Sequence, residues 1–490
     1  MSTHHQTLTL GRALATRLTR ESARPAYIRE HRWAPWLIVA TVCFGAFMGQ
    51  LDASIVTLAF PALQHQFNAH LAGVEWVSLA YLIALVTLLV PVGKLSDRHG
   101  RKLVYLYGFI LFTAASAACG LAPSLLVLVL FRVAQAAGAS MLQANSVALV
   151  ATNAPANRKR AALGIQAAAQ SLGLALGPLL GGILIASAGW RWIFFINIPV
   201  GIIAVFAGWF FLPRTHERAP REQSDRPGLI LLATAVITTL VLVSSVSGLG
   251  LSVFTSAVLA LLSIASFAGL LWREHHTRAP MIDLKMLKSS GIAHMLAGAL
   301  FAYMVLFGPL VLFPQILDAN GGSVLRAGLL LSALPAGFGL AAIGTERIFP
   351  RHWQDRHRAI IGGVLSTVSA GLLAIPAPDI VTVVLLGGLG VGLGIYIPAN
   401  NAGIMSSVTR HQAAAAGGMV NIARGLGTAF GVAIVALALH ATMHAQGAAG
   451  QNTAMILLSL AALAATWAGH YTKTHADTPN VHRHTEIEAL

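Results

Sequence analysis

The decapeptide GKLSDRHGRK, residues 93–102, lies between two apolar runs at about 73–92 and 103–121. Each run is about twenty residues long, enough to carry a helix across the ~30 Å hydrocarbon core of a bilayer. A connection this short makes them consecutive, antiparallel membrane crossings. Gly93 permits close helix approach or an abrupt turn, and Gly100 permits a backbone conformation that other residues resist. Asp97 is placed to accept hydrogen bonds from helix-end amides or to pair with Arg98, Arg101 or a neighbouring basic group, with Lys102 completing the cluster. Such a cluster can latch one face of a protein shut and release as it rocks. From charge alone it reads equally well as a solvated loop that fixes topology.

The same alternation extends over the whole 490-residue chain. Apolar runs fall at about 36–60, 73–92, 103–121, 124–152, 161–186, 191–212, 228–248, 251–272, 291–317, 324–345, 359–376, 380–408, 413–440 and 452–471, fourteen in all. In lipid a backbone must satisfy its own hydrogen bonds, so these runs are expected to be helices. Only 10% of the residues are charged and the mean hydropathy is +0.71. A soluble domain carries roughly a quarter charged residues, so that class is excluded. The two cysteines, Cys43 and Cys119, lie inside apolar runs and suggest no disulfide framework. No short apolar core with a small-residue cleavage site precedes Trp36, so the first span is expected to act as its own insertion signal.

The net charge of +15 reports topology rather than nucleic-acid binding. Of the 32 Lys and Arg, all but Arg132, Arg191, Arg326 and Arg424 fall in alternate connections or in the two tails. This positive-inside pattern places both termini in the cytoplasm of a multi-pass protein of the plasma membrane. No basic face pairs with stacking aromatics, so no nucleic-acid partner is expected. The expected order is an N-terminal tail (1–35), a six-helix half (36–212), a loop (213–227), two additional helices (228–272), a loop (273–290), a second six-helix half (291–471) and a C-terminal tail (472–490).

An internal repeat supports the two halves. ALGIQAAAQSLGLALG (162–177) and AGGMVNIARGLGTAFG (416–431) align at an offset of 254, matching Gly164 with Gly418, Gly173 with Gly427 and Gly177 with Gly431. Gly138 and Gly392 share that offset, and AFPALQ (59–64) resembles LFPQIL (312–317) at 253. Two related halves of six helices are the common architecture of secondary transporters, with the site at their interface. The additional pair contains no acid or base and reads as lipid-facing or scaffolding.

Within FMGQLDASIVTLAF (47–60), Asp52 is the one charged residue. A charge at a helix centre costs roughly 2.5–3.5 kcal/mol on insertion scales and calls for a compensating role. Desolvation disfavours the ionised form of a carboxylate. An acid that is neutral facing one side and ionised facing the other can therefore carry a proton. At offset 253 Asp52 aligns with Val305, so the fold itself does not demand an acid. Capping of, or a hydrogen bond to, a neighbouring helix is the structural alternative. In GLALGPLLGG (173–182), Gly173, Gly177 and Gly181 form one helix stripe and invite close approach, while Pro178 bends the helix.

These motifs resemble the major facilitator superfamily, whose signature between helices two and three is the G-x-L-a-D-R-x-G-R-K pattern seen at 93–102. LDASIVTLAFP (51–61), GLALGPLLGG with Gly182, and WRWIFFINIPVG (190–201) are similar to the superfamily's fourteen-helix drug:proton antiporter branch. The resemblance implies a rocker-switch exporter driven by the proton gradient, with Asp52 and Arg132 in proton coupling and 173–182 as hinge and seal. Departures are Ser54 and Thr57 after the aspartate, Ala136 at the first glycine of the fourth-helix pattern, and a degenerate counterpart of the gate at 345–358.

Candidate cavity residues are Phe47, Glu75, Trp76, Tyr81, Tyr303, Phe307, Tyr396 and Arg424. Glu75 is read either as an acid at the cavity mouth or as a solvated helix end, and Arg424 as a gating or substrate contact or as packing. Few cavity acids point to neutral, monocationic or amphipathic compounds. The histidines show no metal-ligand spacing, so neither metal nor cofactor is expected, with protons the only coupling ion. No G-x-x-x-x-G-K-[ST] loop occurs, so ATP is not the direct energy source. The expected protein is thus an all-α, fourteen-span monomer exporting small molecules across a lipid bilayer, and not an enzyme. A dedicated exporter of one metabolite is the nearer alternative; a membrane receptor or membrane-embedded enzyme is the remoter one.

Overall fold

The computed structural model describes residues 21, 24–29, 31–155, 158–215, 225–245, 251–277, 291–348, 353–408, 413–442 and 449–472. The long helices are α1 (Ala34–Leu58), α2 (Trp76–His99), α3 (Arg101–Gly120), α4 (Leu125–Asn153), α5 (Lys159–Ala188), α6 (Asn197–Phe211) and α7 (Arg226–Ser244). They continue with α8 (Val253–His276), α9 (Ile292–Ala319), α10 (Val324–Ile348), α11 (Asp355–Leu372), α12 (Asp379–Ser406), α13 (Ala413–Ala441) and α14 (Ala449–Gly469). Their ends follow local chemistry. Gly100 breaks α2 from α3 at φ 107°, a conformation suited to glycine. The side chains of Ser124, Asp225 and Ser252 accept the first free amides of α4, α7 and α8.

Among the described residues, twelve helical stretches are long and apolar enough to cross a membrane. The two expected spans outside that set are α7 and α11. The apolar part of α7 runs only over Pro227–Leu242, and residues 246–250 of the expected span lie outside the described residues. Helix α11 opens with Asp355-Arg356-His357-Arg358, which dilutes its apolar character. Residues 1–20 and 473–490 of the tails, and most of the loops at 213–227 and 273–290, also lie outside the described residues.

The repeat reappears as contacts. Gly173 of α5 lies against the Phe47 carbonyl of α1, and Gly427 of α13 against the Leu300 carbonyl of α9, positions related by offsets of 254 and 253. A methyl at Gly138 would meet the Gly108 carbonyl at 3.0 Å, and one at Gly392 would meet the Gly362 carbonyl at 2.7 Å, again 254 apart. Small residues let these backbones touch, which is how helices associate where lipid offers no hydrophobic drive.

Helices α1–α6 pack together, as do α9–α14, and α5 meets α10 across the seam. There Gly328 lies against the Pro178 carbonyl and within 3.0 Å of Gly182 when a Cβ is added. At one end of the seam the side chains of His65 and Asp318, which are themselves related by the 253 offset, are hydrogen-bonded at 3.1 Å. Beside it Gln315 donates to Gln64 at 2.7 Å.

Helices α7 and α8 pair with each other through Thr239 and Ser263 (2.7 Å) and through Arg273 and Asp225 (2.7 Å). Helix α7 leans on α2 and α13, over the seam, while α8 presents Phe254, Leu261, Ile264 and Trp272 outward.

Candidate functional site

Asp52 is completely buried, as is Arg132, and the pair is bonded directly: Arg132 Nη1 donates to Asp52 Oδ2 at 2.6 Å. The arginine also bonds a backbone carbonyl, with Nε donating to Val77 O at 2.9 Å. Gln135, one turn along α4, accepts from Arg132 at 2.7 Å and donates to Asp52 Oδ1 at 2.9 Å. Asn197 of α6 donates to the same oxygen at 3.3 Å and to Ser116 at 3.0 Å. Ser116 in turn accepts from Gln135 at 3.1 Å and donates to Phe194 O at 3.0 Å. Both carboxylate oxygens are thus satisfied, which a buried ion pair requires if its desolvation is to be offset.

Sequence reasoning missed Gln135, Asn197 and Ser116. The signals were present: Arg132 and Gln135 are spaced i, i+3 on one helix face, and Asn197 interrupts the apolar run FFINIPVG.

The guanidinium of Arg132 lies over the Tyr81 ring, 4.0 Å from its centroid, a favourable cation–π geometry. Tyr81 also lines a central cavity of about 50 Å³ at the seam, so one aromatic ring separates the ion pair from the cavity. Phe307 of α9 and Arg424 of α13 reach this cavity, as sequence reading expected of them. Gln50, Gln143, Gln170 and Asn421 supply amides, and Leu82, Leu85 and Leu142 supply apolar wall. Drug-sized ligands occupy clefts of roughly 300–1,000 Å³. The cavity as it stands holds only a few waters, so the halves must part before an organic molecule enters.

Other expected cavity residues lie elsewhere. The Tyr396 hydroxyl donates to Ala465 O at 2.7 Å, and the ring fills the space left by Gly298 and Gly469, so this tyrosine ties the second half together. Glu75 is wholly buried rather than at a mouth or a solvated end. The chain from 60 to 74 folds into two short helices, Phe60–Phe67 and Leu71–Val74, that lead into α2 at this end. Phe47 is half-buried on α1, and its carbonyl faces Gly173. Trp76 and Tyr303 pack against the apolar core outside the cavity lining. Side-chain type alone did not distinguish packing from lining.

The 93–102 cluster is also resolved in detail. Asp97 at the end of α2 pairs with Arg101 at the start of α3, across the Gly100 break, at 2.9 Å, while Arg98 is exposed. Lys102 Nζ donates to Trp209 O (3.0 Å) and Leu212 O (2.7 Å), the free carbonyl end of α6. Gly93 faces open space. These bonds hold α2, α3 and α6 to one another within the first half; they do not bridge the two halves. Glu21, from the N-terminal segment, reaches over the same corner. Its carboxylate accepts from Thr215 N at 2.7 Å and Leu103 N at 3.4 Å, and its carbonyl accepts from Arg214 at 2.7 Å.

In GLALGPLLGG, Gly173, Gly177 and Gly181 all face α1, whereas Pro178 and Gly182 face α10. One helix therefore seals against a neighbour within its half and against the opposite half at once. Among the described residues no group of His, Cys, Asp and Glu is placed to hold a metal ion.

Two pseudo-equivalent helical halves around a seam cavity define a polytopic membrane transporter. The chain belongs to the Major Facilitator Superfamily, whose sequence profile matches residues 42–432. Among its relatives, the riboflavin transporter RibZ of Clostridioides difficile is 31% identical over 402 residues, 81% of this chain and 87% of that protein. The tetracenomycin C resistance and export protein of Streptomyces glaucescens is 29% identical, over 82% of this chain and 76% of its own. The multidrug resistance protein Stp of Mycobacterium tuberculosis is 31% identical, over 82% and 75%. A crystal structure of a bacterial homologue of the human lysosomal transporter Spinster, inward-facing and occupied, superposes with a TM-score of 0.63 at 15% identity, covering 90% of this chain and 97% of that one. At that identity the likeness is of fold.

Proposed function

We propose that this transporter is a proton-coupled exporter of small amphipathic organic compounds, working by alternating access. The observation that carries the reading is the completely buried Asp52–Arg132 pair, one aromatic ring away from the seam cavity. Arg132, Gln135 and Asn197 all donate to Asp52, an arrangement suited to its ionised form. Protonation would cancel its attraction to Arg132 and loosen the junction of α1 with α4. Return of the pair would expel the proton to the other side. Tyr81, touching both the cavity and Arg132, would link substrate occupancy to that exchange.

In the same scheme fourteen helices cross the plasma membrane, with both termini cytoplasmic. Helix α11 counts as a crossing because Gly362 and Gly363 seat it against α12 and α14 inside the second half. The 93–102 cluster keeps the first half rigid as it rocks. His65–Asp318 and Gln64–Gln315 close the extracellular end, and α5 acts as hinge and seal. The protein acts as a monomer, with substrate and protons as its partners and no cofactor. Relatives named for antibiotic export and for riboflavin transport are consistent with either a broad or a dedicated exporter.

The test uses everted vesicles with an acidic lumen and a panel of ethidium, rhodamine 6G, fluorescein and riboflavin. At least one probe should accumulate, and an uncoupler should abolish the accumulation. Accumulation that persists without a proton gradient would overturn the coupling.

A further inference from the structure

We infer that the seam cavity selects organic anions, a reading that rests on the proposed transport role and names its substrate class. Arg424 lines the cavity from α13, and among the described residues no carboxylate lies within ion-pair distance of its side chain. Among the described residues no Asp or Glu lines the cavity. Asp52 lies behind Tyr81 and Arg132, with both oxygens already accepting from Arg132, Gln135 and Asn197. Glu75 is buried outside the lining. With Asp52 neutralising Arg132, the cavity retains one uncompensated positive charge.

The remaining chemistry fits the same class. Gln143, Gln170 and Asn421 offer amide donors around Arg424, and Tyr81 with Phe307 offers aromatic surface for a flat, apolar skeleton. Away from bulk water a charge interacts more strongly than it does in solvent. A carboxylate or phenolate on such a skeleton meets a guanidinium and amide donors, a charge-assisted arrangement. A cation of the same shape meets Arg424 with no acid to offset it, a built-in repulsion that discriminates as effectively as an attraction. This departs from the preference for neutral or monocationic compounds expected from the sequence, where Asp52 and Glu75 were counted as cavity acids.

The test is equilibrium binding to the purified full-length protein, read by fluorescence anisotropy at fixed ionic strength. Fluorescein and rhodamine 6G share a xanthene tricycle with a pendant phenyl ring and carry opposite charge. Fluorescein should bind at least tenfold more tightly. Arg424→Gln should weaken fluorescein at least tenfold, Arg424→Lys should keep part of the affinity and so report an intact fold, and Arg424→Glu should reverse the order of the two dyes. Equal or tighter rhodamine 6G binding, no saturable fluorescein binding, or an Arg424→Gln variant that keeps its fluorescein affinity would each overturn the inference. Because the readout is binding, anion selectivity without gradient-driven movement would sink the transport mechanism alone. Gradient-driven export of cations only would sink the anion site alone.

Discussion

Substituting Gly177 with alanine probes the α1–α5 contact that carries the glycine motif. The added Cβ would overlap Ser54 Oγ, stand 2.8 Å from Ser54 Cβ and lie 3.2 Å from Ile55 N, whereas ordinary contact is 3.4–4 Å. The Ser54 hydroxyl can rotate away from its bonds to Gln50 and Leu51, but its Cβ and the α1 backbone cannot. The helices must therefore part, and overpacking of this kind costs ~1–3 kcal/mol. Alanine recovers up to ~1 kcal/mol of helix propensity, so with that gain in full the net loss is ~0–2 kcal/mol. Gly418→Ala is the matched control, since nothing lies within 4 Å of the added carbon, so only the propensity gain applies. Thermal unfolding in one detergent at one scan rate should show Gly177→Ala melting several degrees below Gly418→Ala, with the intact protein between them. Adding Ser54→Gly to Gly177→Ala should recover stability beyond the sum of the single changes. If Gly177→Ala melts at or above the intact protein, or the pair is simply additive, the close contact is not what the glycine serves.

Three further outcomes follow from the same geometry. Arg132→Gln strands a buried carboxylate at a cost of ~3–5 kcal/mol, so size-exclusion should show little folded protein. Adding Asp52→Asn should restore part of it, and no restoration would refute the pairing. Glu21→Ala removes the acceptor for Thr215 N and Leu103 N, and orphaned amides cost ~1–3 kcal/mol each. Trypsin should then cut after Arg24 and Arg29 faster than in the intact protein, and an unchanged rate would count against the docked segment. His65 is exposed and Asp318 half-buried, and pairs of this kind contribute only ~0–1 kcal/mol. His65→Cys/Asp318→Cys in a background lacking Cys43 and Cys119 should melt normally, yet stop transporting once bridged by a short bismaleimide. Full activity after bridging would show that this end of the seam need not open.

Much of this architecture was legible because lipid makes it so. Runs long enough to cross a bilayer, a basic decapeptide between two of them, and glycines recurring at 254 are one-dimensional signals. The contacts of Gly173 and Gly427, and of Gly138 and Gly392, repeat at the same offsets. Asp52 and Arg132 stood out because a charge in an apolar run is conspicuous. Their amide and hydroxyl partners did not, since Gln135, Asn197 and Ser116 matter only through three-dimensional convergence. The same limit explains Tyr396 and Glu75. An aromatic ring packs or lines with equal ease, and nothing in GVEWVSLAYL marks Glu75 as buried rather than solvated. The span count blurred at α7 and α11, where apolar length falls short at one helix and charges crowd the start of the other.

The most direct test of proton exchange at Asp52 is a measurement of protons released when substrate binds. The purified protein, in weak buffer with a pH-sensitive dye, is mixed with whichever probe of the panel it transports. Substrate arrival should release protons from the intact protein. An Asp52→Asn/Arg132→Gln double variant, which leaves neither charge of the buried pair stranded, should bind the same probe, shown by anisotropy, and release none. Release of the same size from that variant would contradict the account and move the exchanged proton to another group.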